Sequence, residues 1–220
     1  MRRRPSVAGM TQTILTFGDS NTHGTPPIVT RGVYARHDAS VRWPQVMAAE
    51  LGCTLIEEGL PGRTAGAMTD PEMGAHMNGH LGLRVALESH GPIDVLTIML
   101  GTNDCKAHFG LTPEGIAAGV AGLLAIACGD PMQTRHGGFK VLLICPPPVL
   151  EQGPIAQVFY GGASKSLALP PLYAALARTW NVGFLDAGAH IAVSPQDGVH
   201  YNAASHQTLG QEVAKAIAAL

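Results

Sequence analysis

Five short apolar runs recur along the chain, and helical spacing fills most of the sequence between them. That alternation leaves few architectures open. The runs are "TILTF" (13–17), "CTLIEE" (53–58), "DVLTIML" (94–100), "KVLLIC" (140–145) and "VGFLDA" (182–187). The third and fourth are almost unbroken in apolar residues, as strands covered on both faces must be. Between them, "RWPQVMAAELG" puts Trp43, Val46, Met47 and Leu51 on one stripe, with Pro44 in the first turn and Gly52 as a stop. "TPEGIAAGVAGLLAIACG" opens on Thr112 as N-cap and Pro113, and closes at Gly129. The last twenty residues carry Leu209, Val213, Ile217 and Leu220 down one side. A weaker helical pattern lies near 80–90, and 163–180 reads as helix except that Pro170 and Pro171 should break or kink it. Strands alternating with helices predict an α/β fold: a five-stranded parallel sheet with right-handed crossovers, covered on both faces in three α/β/α layers.

The length of 220 residues suits one such core, so residues 13–220 are expected to form a single domain behind a disordered tail over 1–12. Hydrophobic residues make up 46% and charged residues 14%, which is apolar for such a fold. The excess is expected either between subunits or in loops that line a site. A net charge of −2 gives no footprint for nucleic acid. The basic start "MRRRPSVAGM" lacks the apolar stretch of a secretion signal. No run reaches the roughly 18 apolar residues that a spanning helix needs, so no membrane partner is expected. Cys53, Cys105, Cys128 and Cys145 are scattered without metal-binding spacing, which reads as buried free thiols and a cytoplasmic location.

In open parallel sheets, sites form beyond the carboxyl ends of the strands. After the first strand come Gly18, Asp19, Ser20 and Asn21; after the second, "GLPGRT"; after the third, "GTND"; after the fifth, "QDGVH". Alone, each is ordinary. A serine after a strand caps a helix, "DGVH" is a surface turn, and a lone histidine in such a turn is solvated. Together they supply a nucleophile, a general base, an orienting carboxylate and hydrogen-bond donors, the inventory of covalent acyl transfer. The elbow pattern G-x-S-x-G is absent around Ser20, which argues against the common α/β-hydrolase plan. No glycine-rich phosphate loop follows the first strand, which argues against a nucleotide-binding module. Two connections, 25–40 and 146–163, are rich in Pro and Gly and too long for plain turns, so they are expected to be functional or interfacial.

These blocks resemble the SGNH hydrolases, the GDSL esterase superfamily. "FGDSN" matches its first block, Gly62 of "GLPGRT" its second, "GTND" its third and "DGVH" its last. The wording of "IEEGLPGRT" and "IMLGTNDCK" is most similar to the bacterial arylesterase and acyltransferase branch. The resemblance implies a flavodoxin-like SGNH fold and an arylesterase-like serine esterase acting on short, acetyl-type esters, with acyl transfer to alcohols. It implies Ser20 as nucleophile, His200 as base and Asp197 as its orienting carboxylate. The oxyanion hole would be the backbone N–H groups of Ser20 and Gly62 with the Asn103 amide. Carbohydrate O-deacetylation is the alternative substrate class. The chain departs from the pattern at Asn21, where leucine is expected, and at His23, where an aromatic residue is common; both should make the mouth of the site more polar. Asn21, His23, Val199 and Phe159 are the expected substrate contacts.

Asp19 and Asp104 flank these blocks and are read as loop anchors, with Arg63 and Lys106 as their candidate cationic partners. His76 and His80 in "HMNGH" have a helical metal spacing, but Asn78 and Gly79 interrupt the helix and no third ligand is evident. No cofactor or metal is expected. The partners implied are small ester and alcohol substrates and further copies of the chain, with an octamer as the specific assembly.

Overall fold

The computed structural model describes residues 11–33 and 35–220. The tail expectation therefore lies outside the described residues over 1–10; the Gln12 carbonyl already accepts the Thr54 N–H at 2.8 Å. The five strands are β1 (Thr13–Gly18), β2 (Thr54–Gly59), β3 (Val95–Met99), β4 (Lys140–Cys145) and β5 (Gly183–Asp186). All pair in parallel, in the order β2-β1-β3-β4-β5. Strand order reverses at β1, so the crevice beyond the carboxyl ends of β1 and β3 is the place where this topology collects a site.

Alternate residues of the strands feed two cores. Ile14, Val95, Leu142 and Ile144 face α2 (Trp43–Leu51) and α8 (Ala203–Ala218), with Trp43, Tyr201 and Leu209 fully buried there. Leu15, Phe17, Ile98 and Leu143 face α3 (Gly79–Ser89), α4 (Pro113–Cys128) and α7 (Leu169–Trp180). Because each inner strand is buried on both sides, the apolar runs are continuous rather than alternating. The edge strand β2 carries Glu57 and Glu58, which bind Arg42 (2.9 Å) and His90 (2.8 Å) and blunt the open edge.

Helix boundaries follow local chemistry. Thr112 accepts the Gly115 N–H to cap α4, with Pro113 in its first turn. Pro170 and Pro171 break the helical stretch 163–180: α6 (Gly162–Leu167) ends, and α7 starts with both prolines in its first turn, where no N–H is needed. A seven-residue helix, α5 (Asp130–His136), follows Gly129; the short apolar spacing there gave no sign of it. The loop 146–163 is partly structured, with a 3-10 turn at Ala156–Phe159. Among the described residues, no single helix is long and apolar enough to cross a membrane.

Candidate active site

The first strand stops at Gly18 because the chain turns at once into a four-residue helix, α1 (Ser20–His23). Asp19 caps that helix by accepting the Asn21 N–H at 2.9 Å. The cap puts Ser20 at the first helical position, beyond the carboxyl end of β1. From the other end of the chain comes the turn before α8. Its Asp197 accepts the Val199 and His200 N–H groups at 3.0 and 2.9 Å through one oxygen. Gly198 adopts φ +75°, and any Cβ there would lie 2.1 Å from the Leu150 carbonyl oxygen, so this turn admits only glycine. That local turn aims the His200 ring between a carboxylate and a hydroxyl.

His200 Nδ1 lies 2.6 Å from Asp197 Oδ2, and His200 Nε2 lies 3.0 Å from Ser20 Oγ. With Nδ1–H given to the carboxylate, Nε2 is left to accept from the serine hydroxyl. Ser20 and His200 are 7% and 5% exposed and Asp197 is fully buried, so water reaches only the reacting end. Burial raises the Asp197 carboxyl, but the bonds from His200 and from the Ile28 N–H (2.6 Å) outweigh it and hold the group below its ordinary value. Asp197 therefore stays an acceptor.

Ser20, Gly62, Asn103, Val199 and His200 line one cavity of about 270 Å3. The Asn103 amide is oriented by the Arg63 carbonyl at 3.0 Å; its second contact, to Asp19, is long at 3.4 Å. A long bond of that kind is easily exchanged for a better acceptor. Among the described residues, no backbone acceptor takes the Gly62 N–H. Phe159, with Ile155 and Val158 beside it, forms an apolar wall. Arg31, Glu72, Lys106 and His108 add polar side chains to the same lining. Glu72 and His108 carry no motif and were not legible as site residues; their segments showed no regular period.

The other expected site residues lie elsewhere. Asn21 does not line the cavity: it is 1% exposed, and its Nδ2 donates to the Val199 carbonyl at 3.2 Å. The added polarity thus turns inward, tying the nucleophile turn to the His200 turn. His23 also lies outside the cavity lining. Its carbonyl accepts from Arg36 at 2.7 Å and its Nδ1 faces Thr25 Oγ1 at 3.4 Å. Burial, then Arg36 and Arg42, push its imidazole down from the ordinary value.

Asp19 and Asp104 anchor loops, Asp104 through both oxygens on the Ala65 N–H at 3.0 and 2.9 Å. Burial pushes them up to about 6 and about 7. Neither forms the ion pair expected with Arg63 or Lys106. Arg63 reaches the Gly18 and Glu58 carbonyls and stacks 4.1 Å from the Phe17 ring, and Lys106 stands 4.0 Å from Asp70. Both cations sit where backbone carbonyls or nearer carboxylates reach them first. His80 Nε2 is taken by the Gly119 carbonyl at 2.7 Å.

The GDSL-like lipase/acylhydrolase family matches residues 16–208. Est24, a carbohydrate acetylesterase from Sinorhizobium meliloti, is 38% identical, with a TM-score of 0.89 over 95% of this chain and 99% of that one. The aryl esterase of M. smegmatis is 36% identical, with a TM-score of 0.89 over 96% and 100%. A further carbohydrate acetylesterase family member from Sinorhizobium meliloti is 33% identical, with a TM-score of 0.86 over 94% and 97%. No curated protein matches the chain.

Proposed function

The chain belongs to the GDSL-like lipase/acylhydrolase family and is a carboxylic ester hydrolase, and on that premise we propose that it cleaves short, acetyl-type esters through an acyl-enzyme on Ser20. The observation that carries this reading is the unbroken chain Ser20 Oγ, His200 Nε2, His200 Nδ1, Asp197 Oδ2, at 3.0 and 2.6 Å. As the Ser20 hydroxyl attacks the ester carbonyl, its proton passes to His200 Nε2, and Asp197 stabilises the imidazolium that forms. The carbonyl oxygen becomes an oxyanion held by the Ser20 and Gly62 N–H groups and the Asn103 amide. His200 then gives its proton to the departing alcohol. In the second half, water or another alcohol gives its proton to His200 and attacks the acyl carbon, and Ser20 regains its own.

A cavity of about 270 Å3 suits a small acyl group. Its apolar wall of Ile155, Val158 and Phe159 favours an arylesterase-like leaving group and transfer to alcohols. An alcohol gains about 0.8 kcal/mol for each methylene it buries there. The polar part of the lining favours a second reading, carbohydrate O-deacetylation. Arg31, Glu72, Lys106 and His108 offer both donors and acceptors to a hydroxyl-rich leaving group. The similar proteins include both a carbohydrate acetylesterase and an aryl esterase.

One panel separates the readings: aryl acetates, short alkyl esters and acetylated sugars, with Ser20→Ala as baseline and a benzyl-type alcohol added in a parallel arm. The first reading expects the highest kcat/KM on aryl acetates and new ester in the alcohol arm. Preference for acetylated sugars selects the second. Acetate as the sole product at every alcohol concentration removes acyl transfer, and turnover by Ser20→Ala removes the acyl-enzyme. The proposed setting is a cytoplasmic homo-oligomer, an octamer in its specific form. Its supports are the free thiols of the four cysteines and the exposed apolar side chains of Val29, Val33, Tyr160 and Leu167.

A further inference from the structure

We infer that the backbone N–H of Ile28 is a positioning group for the triad, and that the described residues around it, 25–33 and 35–37, form a strap that helps hold the Asp197 carboxylate in the plane its work requires. The inference rests on the Ser20–His200–Asp197 reading above. Asp197 is fully buried and accepts four hydrogen bonds. Two of them, from Val199 and His200 N–H, reach Oδ1 and belong to its own turn. They hold Oδ1 from within the turn and make no contact with the second oxygen. Among the described residues, Oδ2, the oxygen that receives His200 Nδ1, has one other donor: Ile28 N–H at 2.6 Å, 169 residues away in sequence. That bond holds the second oxygen from a distant segment and, with Oδ1 held by its own turn, completes the setting of the carboxylate plane.

The strap is built to deliver one donor there. Pro26 and Pro27 have no N–H and a fixed φ, so Ile28 is the first donor after Thr25. The base of the strap is closed by His37 N–H on the Gly24 carbonyl at 2.7 Å. It is pinned again where His37 Nε2 lies 3.3 Å from the Tyr201 carbonyl, one residue past His200. Arg36 Nε holds the His23 carbonyl at the end of α1, at 2.7 Å. Thus the strap touches the segments bearing both Ser20 and His200 and inserts a donor between them. No residue type at position 28 announces this, because the group is main chain.

The test deletes that N–H alone. Ile28→Pro extends the proline run by one and removes the donor; a backbone ester at position 28, with isoleucine replaced by its α-hydroxy analogue, removes it without constraining φ. Both are assayed for kcat, KM and the pH profile of kcat/KM, beside Ser20→Ala and Ile28→Val. A lost charge-assisted bond predicts a fall in kcat of about ten- to a hundredfold with KM little changed. The acidic limb of the profile moves to higher pH, because a less compensated carboxylate makes the imidazole hold its proton more tightly. Ile28→Val, which keeps the N–H, keeps the wild-type limb. If the proline variant does not fold, the ester variant decides. Wild-type kcat and limb in the variant that lacks the donor overturn the inference, as does a fall in kcat with the limb unmoved, which a loosened loop alone would give. Turnover by Ser20→Ala instead overturns the triad reading beneath it.

Discussion

Single groups decide the chemistry proposed here, and two of them can be weighed. Asn103 is aimed by the Arg63 carbonyl at 3.0 Å, and its other N–H makes only a long contact at 3.4 Å. As an oxyanion donor it acts on charge that exists only in the transition state. Asn103→Ala is therefore expected to lower kcat by about 100- to 1,000-fold and leave KM nearly unchanged. Steady-state kinetics on an aryl acetate check this; a raised KM at normal kcat would instead mark Asn103 as a ground-state contact. Asp104 titrates in the folded chain at about 7 against an ordinary 3.8, chiefly because it is buried. Between those values the folded chain binds the extra proton, so stability falls as pH rises through that window. Asp104→Asn keeps an acceptor for the Ala65 N–H and removes the titration. Its stability relative to wild type should climb from about pH 4 to about pH 7 and then level off, as read by denaturant unfolding across that range. A constant difference at every pH would mean that Asp104 is ionised throughout. The aspartates were legible as loop anchors from their place beside the motif blocks. The partners of Arg63 and Lys106 were not, since a long cation takes whichever acceptor the packing brings nearest.

At the scale of elements, the site depends on how closely α1 rides on β2. Gly59, the last residue of β2, has no room for a side chain: a Cβ there would lie 2.3 Å from the His23 nitrogen and 2.6 Å from its Cα. The obstacle is backbone, so the helix that carries Ser20 must move. Gly59→Ala should cost about 1–3 kcal/mol of stability and lower kcat by about tenfold or more as Ser20 leaves His200. Urea unfolding and ester kinetics on one preparation test both halves; wild-type values in both would mean that α1 can shift without carrying Ser20. The strands themselves were readable to within about a residue, because burial on both faces leaves continuous apolar runs. The break at Pro170 and Pro171 was equally readable, from the ring's clash with a preceding turn. α5 was not: seven residues starting at Asp130 are too few to show a period.

For the whole molecule, composition announced an apolar excess and the fold decided where it lies. Val29 and Val33 are 74% and 67% exposed on the strap, and Tyr160 is 76% exposed before α6. A homo-oligomer would cover such side chains. Light scattering at micromolar concentration is expected to give a multiple of 22.9 kDa, and the monomer mass would remove the assembly from the proposal. By itself, the sequence determined the layered parallel sheet, the strand ends at which small polar residues gather, and the local turns that cap α4 and bend Gly198. Those are short-range matters of period, capping and φ, and neighbouring residues encode them. Only the tertiary structure decided that Asn21 points inward to Val199, that Glu72 and His108 line the same cavity as Phe159, and that Ile28 lends its N–H to Asp197. Those contacts join segments tens to nearly two hundred residues apart. They follow from which loops the sheet order brings side by side, a relation that no local pattern in the chain records.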